Sequence, residues 1–118
     1  ITGDMSFSYD VNGLSSTYLS PRFKIIVMCN GGGGIFRFIK PTSDLPELET
    51  CFEIHRDISV EKYADLFGLR YFELNDEKSA AEVLSLFFAE KDRPAILAVH
   101  TPNVYNAEVL RGYFRRSR

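Results

Sequence analysis

Cysteine, histidine and tryptophan are scarce or missing in this chain: two, two and none in 118 residues. Cys29 and Cys51 are too few for a disulfide scaffold and neither sits in a CxxC pair, so two reduced thiols are expected. His55 and His100 lack the spacing of zinc ligands, and each reads as an ordinary polar residue. Charge of one sign is also missing. Fourteen Lys and Arg face sixteen Asp and Glu, a net charge of −2, which leaves no strong electrostatic case for nucleic acid or an anionic membrane as partner. No apolar run approaches the length of a membrane-spanning helix, and no signal-peptide pattern is read, so a cytoplasmic location is expected. What is present is ordinary for one globular domain with a core of its own: 45% hydrophobic and 25% charged residues.

The chain opens ITGD. Ile1-Thr2 reads as the tail of a buried strand that has been cut, which makes a fragment of a longer protein the expectation, a single partial domain over residues 1–118. Phe7, Val11, Leu14 and Tyr18 share one helical face and predict a helix from about Ser6 to Leu19, ended by Ser20-Pro21. Phe23 to Met28 is apolar apart from Lys24, as in a strand buried on both faces of a parallel sheet. Pro41 to Ser59 reads as a long irregular loop. Ser59 then looks like an N-cap for a helix carrying Val60, Tyr63, Ala64 and Phe67, which Gly68 stops. Leu69–Leu74 reads as a strand. Ser79-Ala80-Ala81-Glu82 reads as a capping box ahead of Val83, Leu84 and Phe87. Ala95–Val99 reads as a buried strand, Asn106–Phe114 as a short helix, and the basic end RRSR as a solvated terminus. Strands alternating with helices predict an α/β fold, three layers with a mostly parallel sheet between helices.

Two predicted strand ends carry distinctive groups: Gly3-Asp4, and Asn30 with the four glycines Gly31–Gly34. Ligands of open α/β sheets sit at the C-terminal ends of strands, and neighbouring parallel strands would bring Asp4 and Asn30 to one edge. A carboxylate, an amide oxygen and a glycine carbonyl are hard oxygen ligands, suited to Mg²⁺ or Ca²⁺ rather than zinc. The N–H groups of Met5 and Ser6 open a helix and could face phosphates. A diphosphate bridged by a metal fits this set. GGGGIF is not a P-loop, since GxxxxGK[ST] is missing, and it meets the dinucleotide fingerprint only in part. A flexible loop beside a chance Gly-Asp remains the plain alternative, as does a non-catalytic α/β interaction module that uses the loop to contact a partner.

Gly3-Asp4, a gap of about two dozen residues, then Asn30 resembles the GDG…NN motif of thiamine-diphosphate enzymes, with Met5 and Cys29 replacing a glycine and an asparagine. The blocks Gly3-Asp4-Met5-Ser6-Phe7, Asp10-Val11-Asn12-Gly13-Leu14 and Gly32-Gly33-Gly34-Ile35-Phe36 resemble one branch, the 2-succinyl-5-enolpyruvyl-6-hydroxy-3-cyclohexene-1-carboxylate synthases of menaquinone biosynthesis. The resemblance implies the C-terminal part of a domain that binds thiamine diphosphate on its diphosphate side. It implies Asp4, Asn30 and the Gly32 carbonyl as ligands of Mg²⁺ or Mn²⁺. It places Gly3, Met5 and Ser6 along the diphosphate, and Ile35 and Phe36 near the thiazolium ring. Arg37 stands outside this set, and Asp10 and Asn12 need no catalytic role. The substrates implied are 2-oxoglutarate, which is decarboxylated, and isochorismate, which accepts the resulting carbanion, in a homodimer or homotetramer. The activating glutamate of such enzymes has no counterpart here, so no catalytic residue is assigned and the chain alone is expected to be inactive. An acetolactate synthase or a 2-oxo acid decarboxylase is the nearest alternative.

Overall fold

The apolar run after Phe23 becomes a central strand because both of its faces are covered. A computed structural model describes residues 1–53 and 58–116. Its strands are β1 (Thr2–Gly3), β2 (Lys24–Cys29), β3 (Arg70–Leu74) and β4 (Ala95–His100); its helices are α1 (Asp4–Asp10), α2 (Gly34–Phe38), α3 (Val60–Phe67), α4 (Ala80–Ala89) and α5 (Asn103–Arg116). The residues gather into two compact units, Ile1–Cys29 with Ile58–His100, and Asn30–Asp57 with Thr101–Arg118.

The first unit is an α/β/α sandwich around one parallel sheet, in the order β1-β2-β4-β3. Alternation along the strands sorts side chains between the two faces. Ile96 and Ala98 of β4 join Val27 of β2 under Phe7, Leu14, Val60 and Ala64 on one face. Ala95 and Leu97 face Phe87 of α4 on the other, with Ile26, Phe72 and Leu74 packed around them. Phe87 has no exposed surface, a burial that contributes about 1.5–3 kcal/mol. Helix α3 forms as the sequence predicts. The Ser59 hydroxyl accepts the Lys62 N–H at 3.3 Å, and Gly68 closes the helix at φ +71°.

The predicted helix over Ser6–Leu19 is corrected. It begins at Asp4, and after Asp10 it tightens into a 3₁₀ segment, Val11–Ser15. There the Ser15 hydroxyl donates to the Asn12 carbonyl at 2.7 Å and the Ser16 N–H to the Gly13 carbonyl, both bridging three residues. Tyr18 is 93% exposed and lies off the core face. The Ser79 capping box does not form. Ser79 already has helical dihedrals and its hydroxyl donates back to the Asp76 carbonyl, while the Asp76 carboxylate caps the preceding turn at Lys78 N–H, 2.6 Å.

The second unit holds α2 and α5. Phe38 meets Phe114 with ring centroids 6.0 Å apart, and Arg111 donates to the Arg37 carbonyl. The stretch read as a loop is partly ordered: a 3₁₀ turn at Thr42–Asp44, then a wide turn at Leu48–Phe52 closed by Glu53 N–H on the Leu48 carbonyl at 2.8 Å. Residues 54–57 of that reading, His55 among them, lie outside the described residues, as does the end of RRSR. Helix α5 starts three residues before the predicted Asn106, because the Pro102 carbonyl accepts the Asn106 N–H at 3.0 Å and so closes a first turn there. No helix among the described residues is long and apolar enough to cross a membrane.

Candidate functional site

Asp4 opens α1 directly after β1. Only 5% of it is exposed, and its carboxylate accepts the Met5 N–H at 2.8 Å. Gly3 pairs with Met28 in the parallel register of β1 on β2, so both strands end at the same edge of the sheet. Cys29 ends β2 there. Burial first, then the nearby charges of Asp4 and Glu73, push its thiol up to about 11, which favours the neutral thiol at neutral pH. Of the other predicted residues in this unit, Gly3 is exposed, Met5 half-buried, and Ser6 exposed on the rim of a cavity of about 320 Å³ with Phe7, Asp10 and Leu14. Glu73 accepts from Tyr71 at 3.1 Å and sits 3.1 Å from His100 Nε2. This surface group went unread in the sequence because its members converge only through the register of β3 on β4. A polar contact so exposed contributes little to stability.

The second unit contains the glycine loop. Asn30 accepts the Gly32 N–H on Oδ1 at 3.2 Å, and Gly31, Gly32 and Gly33 all hold left-handed φ values, 83°, 87° and 67°. The need for glycine is sharpest at Gly33, where a Cβ would lie 2.6 Å from Glu53 Cα and 2.7 Å from the Phe52 carbonyl oxygen. The backbone that comes so close to the loop is the chain's own. Ile35 is 56% exposed and lines a cavity of about 200 Å³ with Asn30, Gly34, Phe38, Asn103 and Leu110. Phe36 turns to Phe52 instead, ring centroids 5.3 Å apart.

Below the loop lies a buried ionic group that the sequence reading missed. Glu53 is 1% exposed. Arg37 donates to it at two points, Nε to Oε1 at 2.7 Å and Nη2 to Oε2 at 2.5 Å, and also reaches Glu49 at 2.9 Å. The hydrogen bond to Glu53 is the first cause that holds the Arg37 guanidinium above its ordinary range. Asn103 Nδ2 donates to Glu53 Oε1 at 3.0 Å and to the Gly32 carbonyl at 3.3 Å. A charged residue within the block GGGGIFR was the one available signal. Its partner lies sixteen positions on, in a stretch without periodicity. Among the described residues no three His, Cys, Asp or Glu side chains gather as a metal site. The predicted ligand set draws instead on one carboxylate, one amide and one carbonyl.

No protein-family model matches the chain. Curated relatives do. The 2-succinyl-5-enolpyruvyl-6-hydroxy-3-cyclohexene-1-carboxylate synthase of Porphyromonas gingivalis is 48% identical over 97% of this chain, and that of Flavobacterium johnsoniae 40% identical over 98%. The protein of the same name from Christiangramia forsetii is 37% identical over 97%. The chain spans about a fifth of the length of these relatives, 20% or 21% of each. Over nearly its whole length the chain is thus homologous to a stretch of the 2-succinyl-5-enolpyruvyl-6-hydroxy-3-cyclohexene-1-carboxylate synthases, the family that its three sequence blocks resemble.

Proposed function

We propose that this chain is the diphosphate- and metal-binding segment of a thiamine-diphosphate-dependent synthase, one that decarboxylates 2-oxoglutarate and joins the remainder to isochorismate in menaquinone biosynthesis. The observation that carries the reading is the register of β1 on β2. Gly3 opposite Met28 sets Asp4 one residue past the end of β1, and the chain reaches Asn30 one residue past the end of β2. Homology to synthases of that name supports the substrate class.

The donor set fits a small hard cation. Asp4 offers a buried carboxylate, Asn30 an amide oxygen, and Gly32 a carbonyl in a run of left-handed glycines. Mg²⁺, or Mn²⁺, takes such oxygens together with phosphate oxygens. Gly3, Met5 and Ser6 would run along the diphosphate, and Ile35 and Phe36 would flank the thiazolium ring. Bound there, thiamine diphosphate supplies the electron sink that decarboxylation of a 2-oxo acid requires. The chain's own part is to hold it in one pose, with apolar side chains keeping water from the reacting end.

The test is calorimetric titration of thiamine diphosphate with Mg²⁺ into the full-length protein that carries this segment, beside its Asp4→Ala and Asn30→Ala variants. Metal-dependent binding weakened by roughly 10-fold or more in both variants is expected. Binding that is absent in the unmutated protein, or indifferent to both substitutions, overturns the proposal.

A further inference from the structure

Asn103 stands outside every predicted site, yet it touches the glycine loop on two sides. Its Nδ2 faces two groups that only accept, the Gly32 carbonyl and Glu53 Oε1. Turning the amide over would set its oxygen against both acceptors, so its orientation is fixed by its neighbours. Its Oδ1 therefore points the other way, where it is buried with no hydrogen-bond partner among the described residues. On that side a Cβ on Gly34 would lie 2.5 Å from Asn103 Oδ1 and 2.6 Å from Asn30 Nδ2. The oxygen of one amide and the nitrogen of the other thus converge on the space that Gly34 leaves open.

We propose that Asn103, anchored by Glu53 and Arg37, is a positioning residue for the metal ligands of the glycine loop. This rests on the function proposed above. Through its N–H group it holds the carbonyl of Gly32. Through its oxygen it favours the amide nitrogen of Asn30 on its own side, which turns the Asn30 oxygen the opposite way, where Gly32 N–H now meets it. Both candidate loop ligands are oriented by one side chain. Glu53 serves this arrangement rather than the metal. It is enclosed, and its two oxygens are taken up by Arg37 and Asn103. Arg37 is tied in turn to α5, since Arg111 donates to its backbone carbonyl. The amide of Asn103 is therefore held by charge on one side and faces the loop on the other.

The experiment uses the full-length protein that carries this segment with Asn103→Ala and Asn103→Ser, both of which remove the amide that donates to the Gly32 carbonyl. The readouts are the Mg²⁺ concentration that half-saturates thiamine-diphosphate binding, the electron-paramagnetic-resonance spectrum of bound Mn²⁺, and the melting temperature without metal. Outer partners of metal ligands typically cost 10–100-fold in metal affinity when removed. Half-saturation is expected to rise by about 10-fold or more in both variants, with an altered Mn²⁺ spectrum and a metal-free melting temperature close to the unmutated protein's. Should Asn103→Ala fail to fold, Asn103→Ser decides. Unchanged half-saturation and spectrum, with binding still lost in Asp4→Ala, overturn the role of Asn103 alone. No metal-dependent binding in the unmutated protein overturns the proposed function and this inference together.

Discussion

At Gly33 two constraints coincide that are usually separate. Its φ of +67° is unfavourable for any residue with a Cβ, and that Cβ would collide with the backbone at Phe52 and Glu53. Gly68 has nearly the same φ, +71°, with nothing within 4 Å of a Cβ. The pair therefore separates backbone strain from collision. Gly68→Ala is expected to cost about 1 kcal/mol, and Gly33→Ala about 3 kcal/mol or more, measured by urea unfolding of the two variants. Equal costs would mean that the segment around Glu53 yields to the loop instead of being held against it. The run of glycines made a close backbone approach legible. The approaching segment was not, because it lies about twenty residues on in a stretch with no period. Arg37 was equally opaque: a lone cation next to an apolar pair says nothing of a buried carboxylate sixteen positions away.

Helices were legible where local chemistry and packing agree, and α3 is the clear case. Ser59 caps it, Gly68 ends it, and Val60 and Ala64 are buried at the spacing of one face. Two elements departed for local reasons. Past Asp10, serine hydroxyls and Gly13 offer bonds of shorter span, so α1 tightens although its apolar spacing continues. At α4, S-x-x-E matches a capping box, but Asp76 lies three residues earlier and its carboxylate takes the capping role. The hydroxyl of Ser79 is left to donate backward. Substituting Asp76→Ala is therefore expected to lower stability by about 1 kcal/mol, and Ser79→Ala by only a few tenths. Thermal melts of the two variants check this, and a larger loss from Ser79→Ala would restore the capping box.

At the scale of the chain, the parallel sheet was legible because buried runs such as Ala95–Val99 alternate with amphipathic stretches. The gathering into two units was not, since the glycine loop and α5 lie far apart in sequence and join one unit by tertiary contacts alone. The proposed chemistry requires an activating carboxylate at the cofactor and cations that grip two acidic substrates. Among the described residues the one fully enclosed glutamate, Glu53, is already taken up by Arg37 and Asn103, and Arg37 is taken up by Glu53 and Glu49. The chain also spans only about a fifth of its relatives' length. The isolated 118-residue chain is therefore expected to release no CO₂ from 2-oxoglutarate in the presence of isochorismate, thiamine diphosphate and Mg²⁺, under conditions where the full-length protein does. Exposed apolar side chains on α5, among them Tyr105, Val109 and Phe114, lead us to expect that the isolated chain self-associates. The assay is thus run across a dilution series, with sedimentation velocity on the same samples. Inactivity of the monomeric species carries the expectation. Turnover by that species would mean that the residues named here suffice for the reaction, and that the missing glutamate is not needed.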